Sequence, residues 1–246
     1  MIDVSAEVKQ QLAPTGVLRA GINMSNFLLV VDKTESGDPI GPSPSLAQAI
    51  ADALNVPLKL VPYAAPSDVA AAAGSGEWDI GNIGAEPQRA KVMDFTAAYA
   101  EIEATYLVPA GSSIQSIEDV DQPGNRISVA GGSAYGLWLE NNIQHAQLLP
   151  VNGGDASFDQ FVDGKLEALA SLRPQLLTDT ARVPGSRIID GQFAAVQQAV
   201  GVNKGNDAAY VWLKAFVEDA KANGMIAEFI ERFGVTGKLS IAPPVQ

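Results

Sequence analysis

The chain has 246 residues, 47 % hydrophobic and 18 % charged, which suits one large domain or two lobes of about 100–150 residues and argues against disorder. Sixteen Lys and Arg against 28 Asp and Glu give a net charge of −12, which repels phosphate backbones and argues against a nucleic-acid partner. With no cysteine and one histidine, His145, the chain excludes disulfides, Cys nucleophiles and a His-based metal cluster.

The stretch 1–14 is polar with a partly helical pattern. It has no basic segment followed by an apolar run, so no secretory signal is expected within it. No apolar run approaches the roughly 18–20 residues of a membrane span. After the turn signal Pro14-Thr15-Gly16, residues 17–22 read as a first strand, followed by a loop at 23–27. Gly37-Asp38-Pro39 is a turn. A helix is expected over 46–54, capped by Ser43 or Ser45, with Leu46, Ile50, Ala53 and Leu54 as its apolar stripe. A second strand follows at 56–61, an Ala-rich helix at 67–74 and a third strand at 79–83. Strand, helix, strand, helix, strand is an α/β pattern with a parallel sheet.

The next segment carries the most information. Gly84-Ala85-Glu86 reads as a turn, and Pro87 as the first position of a new helix, where its missing N–H costs nothing. Arg89 then falls in a first helical turn. A cation there opposes the helix dipole, which suggests a side chain waiting for an anion. Residues 103–108 are extended. A second α/β set follows: a short helix at 116–120, a strand at 127–130, a helix opening at Gly131-Gly132-Ser133-Ala134-Tyr135, a strand at 148–151, a helix at 157–163 and a strand at 168–172. Strand and turn at 199–206 precede helices at 207–222 and 225–233. Gly76-Glu77-Trp78-Asp79 leading to Pro87-Gln88 echoes Gly164-Lys165-Leu166-Glu167 leading to Pro174-Gln175. The echo supports two lobes, although an ordinary αβ junction uses Gly and an acid in the same way.

Residues 76–95 resemble the signature of the family 3 extracellular solute-binding proteins, receptors of polar amino-acid ABC importers. Further landmarks follow in that family's order: Leu18-Arg19-Ala20-Gly21, Ile40-Gly41 with Leu46-Ala47-Gln48-Ala49-Ile50, Tyr106-Leu107-Val108-Pro109-Ala110-Gly111-Ser112, Ser116-Ile117-Glu118-Asp119-Val120, Val129-Ala130-Gly131-Gly132-Ser133 and Val200-Gly201-Val202-Asn203-Lys204-Gly205-Asn206. Each is weak alone, but together they cover roughly 16–233. The resemblance implies a two-lobed periplasmic binding protein type II fold, α/β throughout, with Rossmann-like lobes and a two-strand hinge. The expected bounds are 1–102 with 199–246 for one lobe and 108–193 for the other, with hinge strands at 103–107 and 194–198. A small carboxylate-bearing ligand, an amino acid or one like it, would sit between the lobes.

By resemblance, Arg89 holds the ligand carboxylate; a forked guanidinium suits a planar carboxylate better than an ammonium does. Gly132, Ser133 and Ala134 would offer backbone N–H groups to it, the alternative being a plain Ser cap. Asn23, Asn26 and Phe27 occupy the first ligand loop, with Phe27 either covering the ligand or joining the core. Gly84 and Glu86 lie beside Arg89, Tyr135 is a pocket-wall aromatic, and Trp78 reads as core. Two departures matter. Glu86 replaces a small hydroxyl residue, and the second-lobe Asp that meets a ligand ammonium is replaced by Leu172, with Arg173 next to it. One reading has Glu86 taking the ammonium and Arg173 a second anion; the other leaves both as solvated loop charges. The resemblance implies no cofactor or metal, an ABC permease partner, a monomer and a periplasmic home, with the cytoplasm open because of the signal-free start. The competing classes are a cleft enzyme of the cyclohexadienyl dehydratase type, with Glu86 as general acid, and a ligand sensor without transport.

Overall fold

The computed structural model describes residues 3–245; Met1, Ile2 and Gln246, inside the expected lobe bounds, lie outside the described residues. In chain order the elements are α1 (Ala6–Leu12), β1 (Leu18–Asn23), β2 (Asp32–Lys33), β3 (Pro39–Ile40), α2 (Pro42–Leu54), β4 (Leu58–Tyr63), α3 (Pro66–Ala71), β5 (Ile80–Gly84), β6 (Met93–Phe95), β7 (Ala100–Val108) and β8 (Arg126–Ala130). They continue with α4 (Ala134–Asn142), β9 (Gln147–Val151), α5 (Gly154–Asp163), β10 (Ala168–Leu172), α6 (Arg173–Asp179), β11 (Arg187–Ile188), β12 (Ala194–Asn203), α7 (Asp207–Ala222), α8 (Met225–Arg232) and β13 (Ser240–Ile241). The chain divides into two compact units, Met1–Glu101 with Gln197–Gln246, and Ile102–Val196.

In the first unit, β1 lies between β4 and β5 and is parallel to both, with Gly21 opposite Val61 on one side and Gly81 on the other. The last part of β12 runs antiparallel to β5, and β6 runs antiparallel to β12. Val69, Trp78, Ile83 and Met93 form one core cluster. The glycines in the strands have a packing reason. A Cβ on Gly21 would lie 3.1 Å from the Trp78 ring, and one on Gly81 3.0 Å from Val69. Two neighbouring strands are thus kept bare so that α3 and Trp78 can settle on them. Trp78 belongs to this core, and its indole N–H donates to the Val69 carbonyl at 3.0 Å.

The second unit repeats the plan. β8 lies between β9 and β10, parallel to both, and β10 is antiparallel to β7. Tyr106, Ile127, Val129, Leu139 and Ala170 pack on one face, and Leu107, Phe158, Phe161, Leu169 and Leu176 on the other. Alternate residues of β7 and β10 thus point to opposite cores, as expected of a sheet covered on both sides.

Three expectations are corrected. The helix expected from Pro87 is a single 3₁₀ turn at Arg89–Lys91, because Met93–Phe95 is drawn into pairing with β12. The argument that Arg89 opposes a helix dipole therefore lapses. The helix expected at 116–120 is a turn, in which the Asp119 carboxylate accepts the N–H groups of Gln115 and Ser116. Such a side chain satisfies the backbone locally and competes with helix formation. Neither Ser43 nor Ser45 caps α2. The helix starts earlier, at Pro42, with Gly41 as its cap residue.

Candidate functional site

The strand orders place the candidate loops. From β1 the chain moves to β4 on one side, then returns to β5 on the other, so the order reverses at β1. Loops leaving the carboxyl ends of two strands at such a reversal diverge and leave a crevice. Asn23 ends β1 and the loop after it carries Asn26 and Phe27, while the segment after β5 carries Ala85, Glu86 and Arg89. The second unit reverses in the same way at β8, whose loop carries Gly132 and Ser133, while β10 ends at Leu172 and leads into Arg173.

In the first unit, Asn23 and Asn26 shape their own loop. Asn23 Oδ1 accepts the Ser25 N–H at 3.1 Å and its hydroxyl at 2.7 Å, and buried Asn26 accepts the Leu28 N–H at 3.1 Å. Phe27 is 42 % exposed, so it is not core. Gly84 ends β5, and its carbonyl accepts Arg89 Nη1 at 2.6 Å. Ala85 N–H donates to the Gln197 carbonyl at 2.7 Å, which fastens the start of this loop to β12.

Arg89 is only 4 % exposed. Burial pushes its guanidinium down to about 10, with the negative charge of Glu86 acting the other way, so it stays charged at neutral pH. Glu86 is half-buried, and burial pushes its carboxyl up to about 7, while Arg89 pulls it back. A buried cation and a half-buried carboxylate, each destabilised by lost hydration, therefore share one turn. Burying charged groups of this kind is costly, and such strongly shifted groups mark candidate functional sites.

In the second unit, Ser133 caps α4. Its Oγ accepts the Gly136 N–H at 3.0 Å and donates to the Ala130 carbonyl at 2.6 Å. Ala134 and Tyr135 are buried in the first turn. Burial pushes the Tyr135 phenol up, while the hydroxyls of Ser171 and Ser133 pull it back. Arg173, considered from sequence for a second ligand anion, is tethered within its own unit: its Nε lies 2.6 Å from Glu103, and it also bonds the Gly191 carbonyl.

Sequence reasoning missed buried Asn82, whose Nδ2 donates to the Ser43 carbonyl at 3.1 Å and lies 3.2 Å from its hydroxyl. The signal was an amide in the middle of an otherwise apolar strand. Also missed was Glu101, which accepts Gln197 Nε2 at 2.9 Å. Among the described residues no group of three His, Asp or Glu side chains could hold a metal, and no helix is long and apolar enough to cross a membrane.

The family of bacterial extracellular solute-binding proteins, family 3, matches residues 18–236, and the chain belongs to it. Solved structures share its fold. The putative binding component of an ABC transporter from Wolinella succinogenes DSM 1740, complexed with lysine, is 22 % identical, with a TM-score of 0.74 over 91 % of this chain and 98 % of that one. The cysteine-binding protein of Campylobacter jejuni is 19 % identical, with a TM-score of 0.73 over 99 % and 97 %. The ancestral amino-acid-binding protein AncCDT-1, a precursor of cyclohexadienyl dehydratase, is 21 % identical, with a TM-score of 0.73 over 93 % and 99 %. No curated protein matches the sequence.

Proposed function

We propose that this protein is a receptor that captures a small polar carboxylate-bearing metabolite, an amino acid or a close analogue, and delivers it to an ABC permease, working in the periplasm as its family typically does. The observation that carries the reading is Arg89. It is a charged guanidinium 4 % exposed at the carboxyl end of a central strand, set toward a main-chain carbonyl. A planar carboxylate is the anion that a forked guanidinium suits best, through paired, charge-assisted bonds. The capped start of α4 in the second unit, around Gly132, Ser133 and Ala134, is a further anion-binding candidate. The relatives bound to lysine or named for cysteine make amino acids the first chemistry to try.

The test is a thermal-shift panel of amino acids, deaminated and decarboxylated analogues, dicarboxylates and aromatic keto acids. A ligand that binds only the folded state adds about 2.7 kcal/mol at a hundredfold excess over Kd. The expected result is a carboxylate hit that Arg89→Ala abolishes. A hit unchanged by that substitution would sink the reading. One observation favours an enzyme as the second reading: Glu86, pushed up to about 7, has the acidity of a general acid at neutral pH. Turnover of a prephenate-like substrate, lost in Glu86→Gln, would favour it over the receptor.

A further inference from the structure

We propose that Glu86 selects the ligand by its own charge: ionised, it accepts the ammonium of an amine-bearing carboxylate, and protonated, it admits a carboxylate that has no amine. The inference rests on the receptor reading and on Arg89 as the carboxylate anchor.

Glu86 and Arg89 share one turn. Pro87 follows Glu86, and the Glu86 carbonyl accepts the Ala90 N–H at 2.9 Å, so the backbone of the turn is fixed. Among the described residues, the Glu86 carboxylate has neither a hydrogen bond nor an ion pair within 4.0 Å. The neighbouring groups do not neutralise it further. Arg89 lies on its own turn, Gln197 and Gln198 of β12 are uncharged, and Glu101 of β7 is held by Gln197.

Charge balance then dictates the choice. Arg89 and a ligand carboxylate cancel. An ionised Glu86 beside them leaves one uncompensated negative charge in half-buried surroundings, which is costly. The charge is removed either by a cation on the ligand or by a proton from solvent. The first solution binds a zwitterion; the second binds a simple acid and takes up one proton.

The carboxyl, set by burial at about 7, places the switch in an accessible range. From pH 6 to pH 8 its ionised fraction rises from about one-tenth to about nine-tenths. Affinity scales with the fraction of the competent form. Amine-bearing carboxylates should therefore bind about tenfold tighter at pH 8 than at pH 6, and amine-free carboxylates about tenfold tighter at pH 6.

The experiment is titration calorimetry of the full chain with L-amino acids and their matching 2-oxo acids at pH 6 and pH 8, in buffers of two ionisation enthalpies, for wild type, Glu86→Gln and Arg89→Ala. The expected result is opposite pH slopes for the two ligand classes, with proton uptake for the oxo acids, and both slopes flattened in Glu86→Gln. Flat wild-type profiles, or slopes that survive Glu86→Gln, overturn the proposal while leaving the Arg89 reading intact. Binding that survives Arg89→Ala, or no binder in either class, overturns the reading beneath it. If Glu86→Gln fails to fold, carbon NMR of the wild-type Glu86 carboxyl reads the same linkage. Its midpoint should fall when an amino acid binds and rise when an oxo acid binds, and a midpoint unmoved by either refutes the switch.

Discussion

Asp79→Asn isolates what fastens the first unit's central strands. Asp79 precedes β5 and accepts the Arg19 N–H at 2.8 Å, Nε at 3.0 Å and Nη2 at 2.6 Å, so one carboxylate joins β1 and β5. The Asp79 side chain is 4 % exposed and that of Arg19 20 %. Removing one partner of a buried pair costs about 3–5 kcal/mol, and the Asn oxygen keeps one bond worth roughly 1, so the net loss is about 2–4 kcal/mol. For a protein of this size that is a fall in Tm of roughly 5–15 °C. Arg126 and Glu167 make the same three bonds between β8 and β10, at 2.8, 2.9 and 2.9 Å, but with side chains 39 % and 32 % exposed. Water screens that pair, so Glu167→Gln should cost less. Thermal melts rank the two variants, and hydrogen exchange followed by mass spectrometry locates the loss, expected in 18–23 and 80–84 for Asp79→Asn. An equal or larger loss from Glu167→Gln would refute the argument from burial.

Three further perturbations test separate parts of the site. Glu86 is raised in the folded state, so its unfolded form releases its proton first, and stability falls as pH climbs from about 4.5 through about 7. Glu86→Gln should therefore raise Tm at pH 8 and change it little at pH 5, a difference that scanning fluorimetry across that range reads directly. Gly136→Ala would ordinarily favour a helix, but here the new Cβ would lie 2.6 Å from the Ala130 carbonyl and 2.9 Å from Ser133 Oγ. It should lower Tm, and an unchanged or higher Tm would show that this loop has room to give. Ser133→Ala removes the α4 cap and should cost about 1 kcal/mol in urea unfolding.

The alternation of strands and helices was readable because Gly, Pro and apolar runs punctuate it, and the elements at 18–23, 58–63 and 80–84 fall within two residues of their expected places. What misled was local grammar overruled at a distance. Pro87 is a sound helix opener, yet Met93, Asp94 and Phe95 pair with Asn203, Val202 and Gly201, more than a hundred residues away, and the turn stops after Lys91. The tether of Arg173 was hidden for the same reason, since Glu103 lies 70 positions earlier in the chain. Conversely, the acid in each Gly-x-x-acid echo has a specific structural use. Asp79 and Glu167 grip Arg19 and Arg126 in the same manner, so the echo marks equivalent strands of two like-built units rather than a generic junction.

That equivalence sharpens the meaning of Glu86. Two other carboxylates show the contrast: hydrogen bonds from Arg126 hold Glu167 below the usual range, and the backbone N–H groups of Gln115 and Ser116 do so for Asp119. After β10, the position equivalent to Glu86 is Arg173 at the start of α6, which Glu103 neutralises. After β5 the carboxylate is moved the opposite way, pushed up by burial beside a buried guanidinium. A half-buried acid whose burial outweighs the pull of the neighbouring guanidinium keeps an energetic penalty that folding alone does not relieve. Ligand binding can relieve it, either by supplying a cation or by favouring the protonated acid, and the two routes shift affinity in opposite directions with pH.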